Sequence, residues 1–297
     1  MLEEAKLGAG ATTLAATRRR AYSRIFYRLR RNRSAFFGGV VVLGMAALAA
    51  LAPLLWLAPP DQTHFATRLA GPLSSGYLLG SDQLGRDLLS RAIWGTRTSL
   101  VIGVGAALIA LAAGLLFGIT AAYYGGYADN LLMRGIDILM GFPEILLAIA
   151  IVAALGPGLT HAMIGVALAN VPFYARGIRS AVLTLRTSEF VDAARALGAR
   201  NFHVIVRHLF PNIVGAMAVF VSLNVGWMLT ETAGLSFIGL GAQPPTPDWG
   251  TMLADGRGVI TVAPHVATVP GAAIVLAVLG LNLLGEGLRQ IIDPHGR

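Results

Sequence analysis

Six long stretches almost free of Asp, Glu, Lys and Arg constrain this 297-residue chain more than any other feature. About 20 apolar residues, rising about 1.5 Å each as a helix, cross the roughly 30 Å hydrocarbon core of a bilayer. The stretches cover residues 34–56, 98–124, 131–155, 159–175, 212–230 and 266–285. The third carries two acids, Asp137 and Glu144. Hydrophobic residues make up 55% of the chain and charged residues only 13%, about half the roughly 25% of a soluble domain. Such a composition excludes a disordered chain. It also leaves too little polar surface to cover a soluble enzyme. The expected fold class is an all-α polytopic membrane protein with six transmembrane helices.

The net charge is +8, and Lys6 is the only lysine. The placement of the arginines argues for a membrane topology and against nucleic-acid binding. The tail before the first span holds Arg18, Arg19, Arg20, Arg24, Arg28, Arg30, Arg31 and Arg33. By the positive-inside rule this tail is cytoplasmic. The segments after spans two and four and the C-terminus then share its side, with Arg134, Arg176, Arg179, Arg186, Arg195, Arg200, Arg207, Arg289 and Arg297. The opposite side receives only Arg68, Arg86, Arg91 and Arg257, with Arg97 at a boundary. Both termini are therefore expected in the cytoplasm. The first run is too long for the core of a cleaved signal peptide, so a retained span is expected. The basic tail can also touch anionic lipid heads.

Three segments outside the spans carry structure of their own. In the first outer segment, Leu84, Leu88, Leu89 and Ile93 recur at helical spacing. This predicts an amphipathic helix from Asp82 to Trp94, lying on the membrane or on a partner. The second outer segment, 240–264, contains AQPPTPDWG, which its prolines make a fixed loop. Trp249, like Trp56 and Trp94, suits a half-wet interface. The cytoplasmic segment 181–211 is too long for a simple turn. There Thr187 or Ser188 can cap a helix whose first turn holds Glu189 and Asp192. Phe190, Ala193, Ala194 and Leu197 form its apolar face, and Gly198 ends it. Phe202, Ile205, Val206 and Leu209 mark a second short helix, and Pro211 opens the fifth span.

Several catalytic signals are missing. There is no G-x-x-x-x-G-K-[ST] phosphate loop, no H-E-x-x-H, and GLSFIGLG lacks the G-x-S-x-G spacing. His203 and His208 are too few for a metal cage. The absence of cysteine removes disulfides, thiolate metal sites and cysteine nucleophiles. The informative pattern is Asp192, Ala193 and Ala194, then three residues, Gly198, nine residues, and the run from His208 to Pro211. It resembles the coupling loop of ABC importer permeases, written E-A-A, three residues, Gly, nine residues, I-x-L-P. It departs at Asp192 for Glu, His208 for Ile and Phe210 for Leu. The segments LGSDQLGRDLLSRAIWGTRTSL and GLSFIGLGAQPPTPDWGTMLADGR are similar to parts of C-type permease subunits of dipeptide and oligopeptide importers. The likeness spans about residues 20 to 294. Relatives of that type also carry nickel complexes or glutathione.

The resemblance implies a type I ABC importer permease fold. It divides the chain into a basic tail (1–33), a first transmembrane helix (34–57) and an extracytoplasmic segment (58–96). A core permease domain (97–288) follows, with coupling loop 183–211 and outer loop 240–264, and then a C-terminus (289–297). It implies a homologous B-type permease, two ABC ATPases carrying ATP and Mg, an extracytoplasmic substrate-binding protein and a bacterial inner membrane. No cofactor and no catalysis are expected on this chain. Glu189, Asp192, Ala193, Ala194, Leu197, Gly198 and Pro211 would meet the ATPase.

Within the spans, a carboxylate costs about 2.5–3.5 kcal/mol at the bilayer centre on insertion scales. Asp137 lies three residues after Arg134, close enough for a structural ion pair on one helix. Glu144, after Pro143, can line the path or pair with another span. Glu231, near the outer end of span five, can meet a peptide amino group or a docked binding protein, or be a solvated or paired rim group. Asn224 and Met228 share its helix and are candidates for the same pathway or binding-protein contact. Asn170, Asn224 and Asn282 read as interhelical hydrogen-bond partners. Gly114 and Gly118 form a G-x-x-x-G for close packing. Two rival classes remain. A secondary carrier needs ion-coupling acids at mid-membrane, for which Asp137, Glu144 and Glu231 are the candidates. An intramembrane enzyme needs a nucleophile or metal cluster in the spans, and none is evident.

Overall fold

The first helix, α1 (Arg33–Leu51), begins where the Asn32 side chain accepts a hydrogen bond from the Ala35 amide. A computed structural model describes residues 32–55, 57–74 and 76–292. The basic tail before residue 32, Trp56 and the last five residues lie outside the described residues. The remaining helices are α2 (Leu88–Tyr124), α3 (Gly126–Met140), α4 (Glu144–Leu155), α5 (Leu159–Leu185), α6 (Glu189–Ala196), α7 (Asn201–His203), α8 (Phe210–Phe237), α9 (Trp249–Arg257) and α10 (His265–Ile292). Between α7 and α8 the chain makes a π-helical stretch, Val204–Leu209. The described residues contain no β-strand beyond two isolated bridges.

Glycine and alanine determine how these helices meet, as expected where packing rather than water drives association. The most extensive contact is α2 on α5. A Cβ on Gly114 would sit 2.4 Å from the Tyr174 Cβ, and one on Gly118 would sit 2.6 Å from the Ala175 carbonyl oxygen. Ala106, Ala107, Ala110, Ala121 and Ala122 continue this small-residue seam, all fully buried. The G-x-x-x-G of α2 is thus a packing device. Likewise α1 docks on α10 through Gly38, Gly280 and Gly287. Its other faces leave Phe37, Val40 and Leu43 exposed, which suits lipid.

Three helices are long and apolar enough to cross a membrane: α1, α2 and α10. The number rises to five if each of two bent pairs is one span. α5, at 27 residues, occupies the fourth expected span and extends ten residues beyond it, through Arg176 and Arg179. Helix length and apolarity alone therefore do not reach the expected six.

Two sequence expectations are corrected here. The helix expected from Asp82 begins only at Leu88 and runs unbroken into the second span as 37 residues. The Asp82 carboxylate accepts from the amides of Leu84 and Arg86, at 2.9 Å each. This and Gly85 at φ +73° hold the preceding residues in a turn. Asp87 then caps the helix by accepting from the Leu89 amide. The third span is not one helix. α3 and α4 meet at 90°. The break falls at residues 141–143, where Pro143 has no amide hydrogen to donate and its predecessor is driven out of helical geometry.

Candidate functional site

The 187–211 loop sits at one end of α2, and the joined segments 58–87 and 240–264 sit at the other, about 55 Å away for a 37-residue helix. At the loop end, Glu189 and Asp192 occupy the first turn of α6. Ser188 stands at its N-cap, but its hydroxyl donates back to the Leu185 carbonyl and caps nothing. α6 divides its apolar residues between two directions. Val191 and Ala194 turn inward and are buried, while Phe190 and Leu197 stay exposed, Leu197 at 89%. Ala193 is exposed as well. Gly198 ends the helix at φ +82°, with open space where a Cβ would go. Its amide donates to the Arg195 carbonyl and the next amide to that of Ala194. Asp192 lies 3.7 Å from Arg195, the carboxylate mostly and the guanidinium partly in solvent, an arrangement worth little energetically. Phe202 and Val206 are exposed beyond the turn, and Val204 and Leu209 are buried. Pro211 is the second residue of α8, directly after the π-helical turn, so the helix that continues through it lacks one amide donor there.

Residues that the sequence reading did not single out hold this loop in place. The Tyr123 hydroxyl, at the end of α2, donates to Asn201 Oδ1 at 2.9 Å. The Arg195 guanidinium stacks over the Tyr123 ring at 5.3 Å. Arg186 donates to the Ala122 carbonyl at 2.6 Å. An aromatic, an amide or a basic residue gives no sequence signal until its partner 64 to 78 residues away is known.

In the span region, Glu231 does not stand at a rim. α8 continues to Phe237, and Glu231 is 6% exposed, accepting from Asn170 Nδ2 at 2.8 Å. Asn224 Nδ2 lies 3.4 Å from Asn170 Oδ1, so these two asparagines bridge α5 and α8. Met228 is fully buried in the helix packing. Glu144 is exposed and accepts from the indole of Trp227 at 3.2 Å. Trp227, 55% exposed, was not a sequence candidate. The expected pair of Arg134 with Asp137 is corrected. Asp137 pairs instead with Arg176 of α5 at 2.5 Å. One turn away, Arg179 grips Asp129 with two hydrogen bonds of 2.6 Å. Both contacts tie α3 to α5, because the α3 face bearing the acids turns toward that neighbour rather than along its own surface.

At the other end, Trp249 is not half wet. It is fully buried and donates to the Ala92 carbonyl at 3.0 Å. Asp248 caps α9 through the amides of Gly250 and Thr251 and accepts from Ser99 at 2.8 Å. Gln83 donates to the Asp255 carbonyl at 2.5 Å. Partial burial pushes the Asp255 carboxyl above the usual carboxylate range, against the pull of Arg86 and Arg91. Among the described residues no cluster of three or more metal-ligating side chains occurs.

A buried polar seam thus joins α5 and α8, and a loop of helix, Gly turn and helix is fastened at one end of α2. Residues 114–297 match the family described as binding-protein-dependent transport system inner membrane component. Residues 22–72 match the N-terminal transmembrane domain of oligopeptide transport permease C. The chain is 43% identical to a dipeptide transport system permease protein of Alkalihalophilus pseudofirmus, over 91% of this chain and 88% of the relative. It is 42% identical to a glutathione transport system permease protein of Pectobacterium atrosepticum, over 90% and 89%. Among solved structures, a chain of the MetNI methionine ABC transporter in an inward-facing conformation superposes with TM-score 0.55 at 20% identity. That match covers 71% of this chain and 97% of the other, a likeness of fold. The chain belongs to the family of binding-protein-dependent transport system inner membrane components.

Proposed function

We propose that this chain is the C-type permease half of an ATP-driven importer of dipeptides and oligopeptides, in a bacterial inner membrane with both termini in the cytoplasm. One observation carries the coupling mechanism: the 187–211 loop exposes Phe190, Ala193, Leu197 and Phe202 while Tyr123 and Arg186 fasten it to the end of α2. An apolar surface on a fastened short helix is fit to lie in a groove of a second protein and to transmit its movement. That protein is one of two ATPases, which bind ATP and Mg and hydrolyse ATP; this chain catalyses nothing. Glu189, Asp192, Ala193, Ala194, Leu197, Gly198 and Pro211 form the contact or its geometry. A homologous B-type permease completes the pore, and an extracytoplasmic binding protein delivers substrate. The exposed Glu144 and Trp227 line the path, with Asn224, Met228 and Glu231 behind them in the α5–α8 packing. ATP binding and hydrolysis swing the loop and open the path alternately to each side.

The substrate class rests on the likeness to dipeptide permeases over nearly the whole chain. Glutathione is the second reading, since a relative at 42% identity carries that name. The test is reconstitution of both permeases and both ATPases in proteoliposomes with the binding protein outside. Uptake of a radiolabelled dipeptide is expected to require ATP and the binding protein. Unlabelled dipeptide should compete better than glutathione. Uptake driven by an ion gradient without the ATPases would overturn the proposal in favour of a secondary carrier.

A further inference from the structure

At the end of the molecule opposite the 187–211 loop, a cavity of about 190 Å³ is lined by Arg86, Arg91, Gln243, Thr246, Thr251 and Asp255. Its two guanidiniums are buried, Arg86 at 8% and Arg91 at 3% exposure. Burial makes unmet donors costly, and each guanidinium has five. Few of them are used. Arg86 Nε donates to Asp82 at 2.6 Å, and its Nη2 lies 3.6 Å from Asp255, beyond hydrogen-bond distance. Arg91 Nη1 donates to the Pro60 carbonyl at 3.0 Å. Its Nε has no hydrogen-bond partner among the described residues and stands 3.6 Å from Asp82. Asp82, at 3% exposure, is shared by both arginines. Asp255, the other nearby acid, is half in solvent. Arg91 Nε is enclosed by the protein, so the cavity presents the terminal guanidinium nitrogens that no described residue engages, in the planar geometry that a carboxylate fills with paired hydrogen bonds.

We propose that this cavity is a docking socket for a carboxylate, inserted by an acidic side chain of the extracytoplasmic substrate-binding protein. This rests on the function proposed above, which puts this end of the chain outside. Size and position favour a protein side chain over a substrate. The volume lies below the roughly 300–1,000 Å³ of small-molecule sites. The mouth is made of the exposed Gln243, Pro244 and Pro245 on the loop before α9, whereas Glu144 and Trp227 belong to the α4 and α8 face.

The test measures binding of the transporter's own substrate-binding protein to the assembled complex in nanodiscs. Two variants block the socket without touching either arginine. Ala254→Phe fills the cavity, and Thr246→Glu supplies a competing carboxylate from within the chain. Each should weaken docking at least tenfold at an unchanged thermal midpoint, and sodium acetate should compete with docking to the wild type more strongly than acetamide does. Should Ala254→Phe fail to assemble, Thr246→Glu and the acetate competition decide. Normal docking by the variants would overturn the socket. If docking stays normal while the KM of a free dipeptide rises and that of its amide does not, the carboxylate comes from the substrate and the assigned source is wrong. A wild-type complex that binds no binding protein would overturn the functional reading itself, a result distinct from the other two.

Discussion

Gly198 shows how much one residue decides. Its φ of +82° sits in open space, so a side chain meets no neighbour and only the backbone objects. The left-handed conformation costs a residue with a Cβ about 1–2 kcal/mol. Gly198→Val should leave the chain inserted and assembled but lower dipeptide uptake at least tenfold, while Gly198→Asn, which tolerates this conformation, should keep most of it. Normal uptake by the valine variant would refute the lever. Gly114 makes the opposite case, since any Cβ there strikes Tyr174. Gly114→Leu should cost about 1–3 kcal/mol by overpacking, seen as a lower melting temperature of the purified complex in detergent. Both glycines were legible in the sequence, one from the spacing of the loop pattern and one from its G-x-x-x-G. The partner of Asp137 was not. A spacing of three residues offers Arg134, but Arg176 holds it, and a pair between helices leaves no mark along the chain. Trp249 misled for a related reason. Its indole looks alike at a membrane interface and in a core, and only the Ala92 carbonyl distinguishes the two.

At the scale of the element, α3 and α5 are joined by charge where α2 and α5 are joined by small residues. Arg179 and Asp129 are about two-thirds and four-fifths buried and share two hydrogen bonds, so either one left alone is a partly desolvated, unpaired charge. Removing one partner should destabilise by about 1–3 kcal/mol, the cost of leaving a largely buried charge unpaired. Exchanging both charges should restore part of this, which a double-mutant cycle on thermal stability reads directly. The loop end makes a second prediction. Tyr123→Phe removes only the bond to Asn201 and should raise ATP turnover per dipeptide transported at least twofold, because a loosened lever lets hydrolysis proceed without transport. An unchanged ratio would mean that the bond only supports the fold. Element existence was largely readable from apolar runs, whereas element ends were not. Periodicity carried a helix back to Asp82, but the Asp82 carboxylate and Gly85 hold a turn there. Hydropathy joined α3 to α4 across Pro143, and geometry parts them by 90°.

For the whole molecule, the long α2 helix connects two ends that differ in chemistry. One end offers exposed apolar side chains on the anchored loop, and the other offers buried arginines around a small cavity. Composition alone placed the chain in the membrane, and the spacing of the loop pattern marked the helix, Gly turn and helix that lie at one end. The buried network of Asn170, Asn224 and Glu231 lay beyond both signals, since polar residues on separate helices declare their contact only when the helices are packed. The central claim is that the loop meets an ATPase. The chain has no cysteine, so Leu197→Cys, at a position 89% exposed, gives a single attachment point. A short thiol-directed photo-cross-linker placed there in native membranes should yield one main adduct, with a protein carrying a Walker sequence, and its yield should change on adding ATP and Mg. Absence of that adduct, together with labelling of the same position by an impermeant maleimide from the extracytoplasmic side, would contradict both the coupling role and the topology.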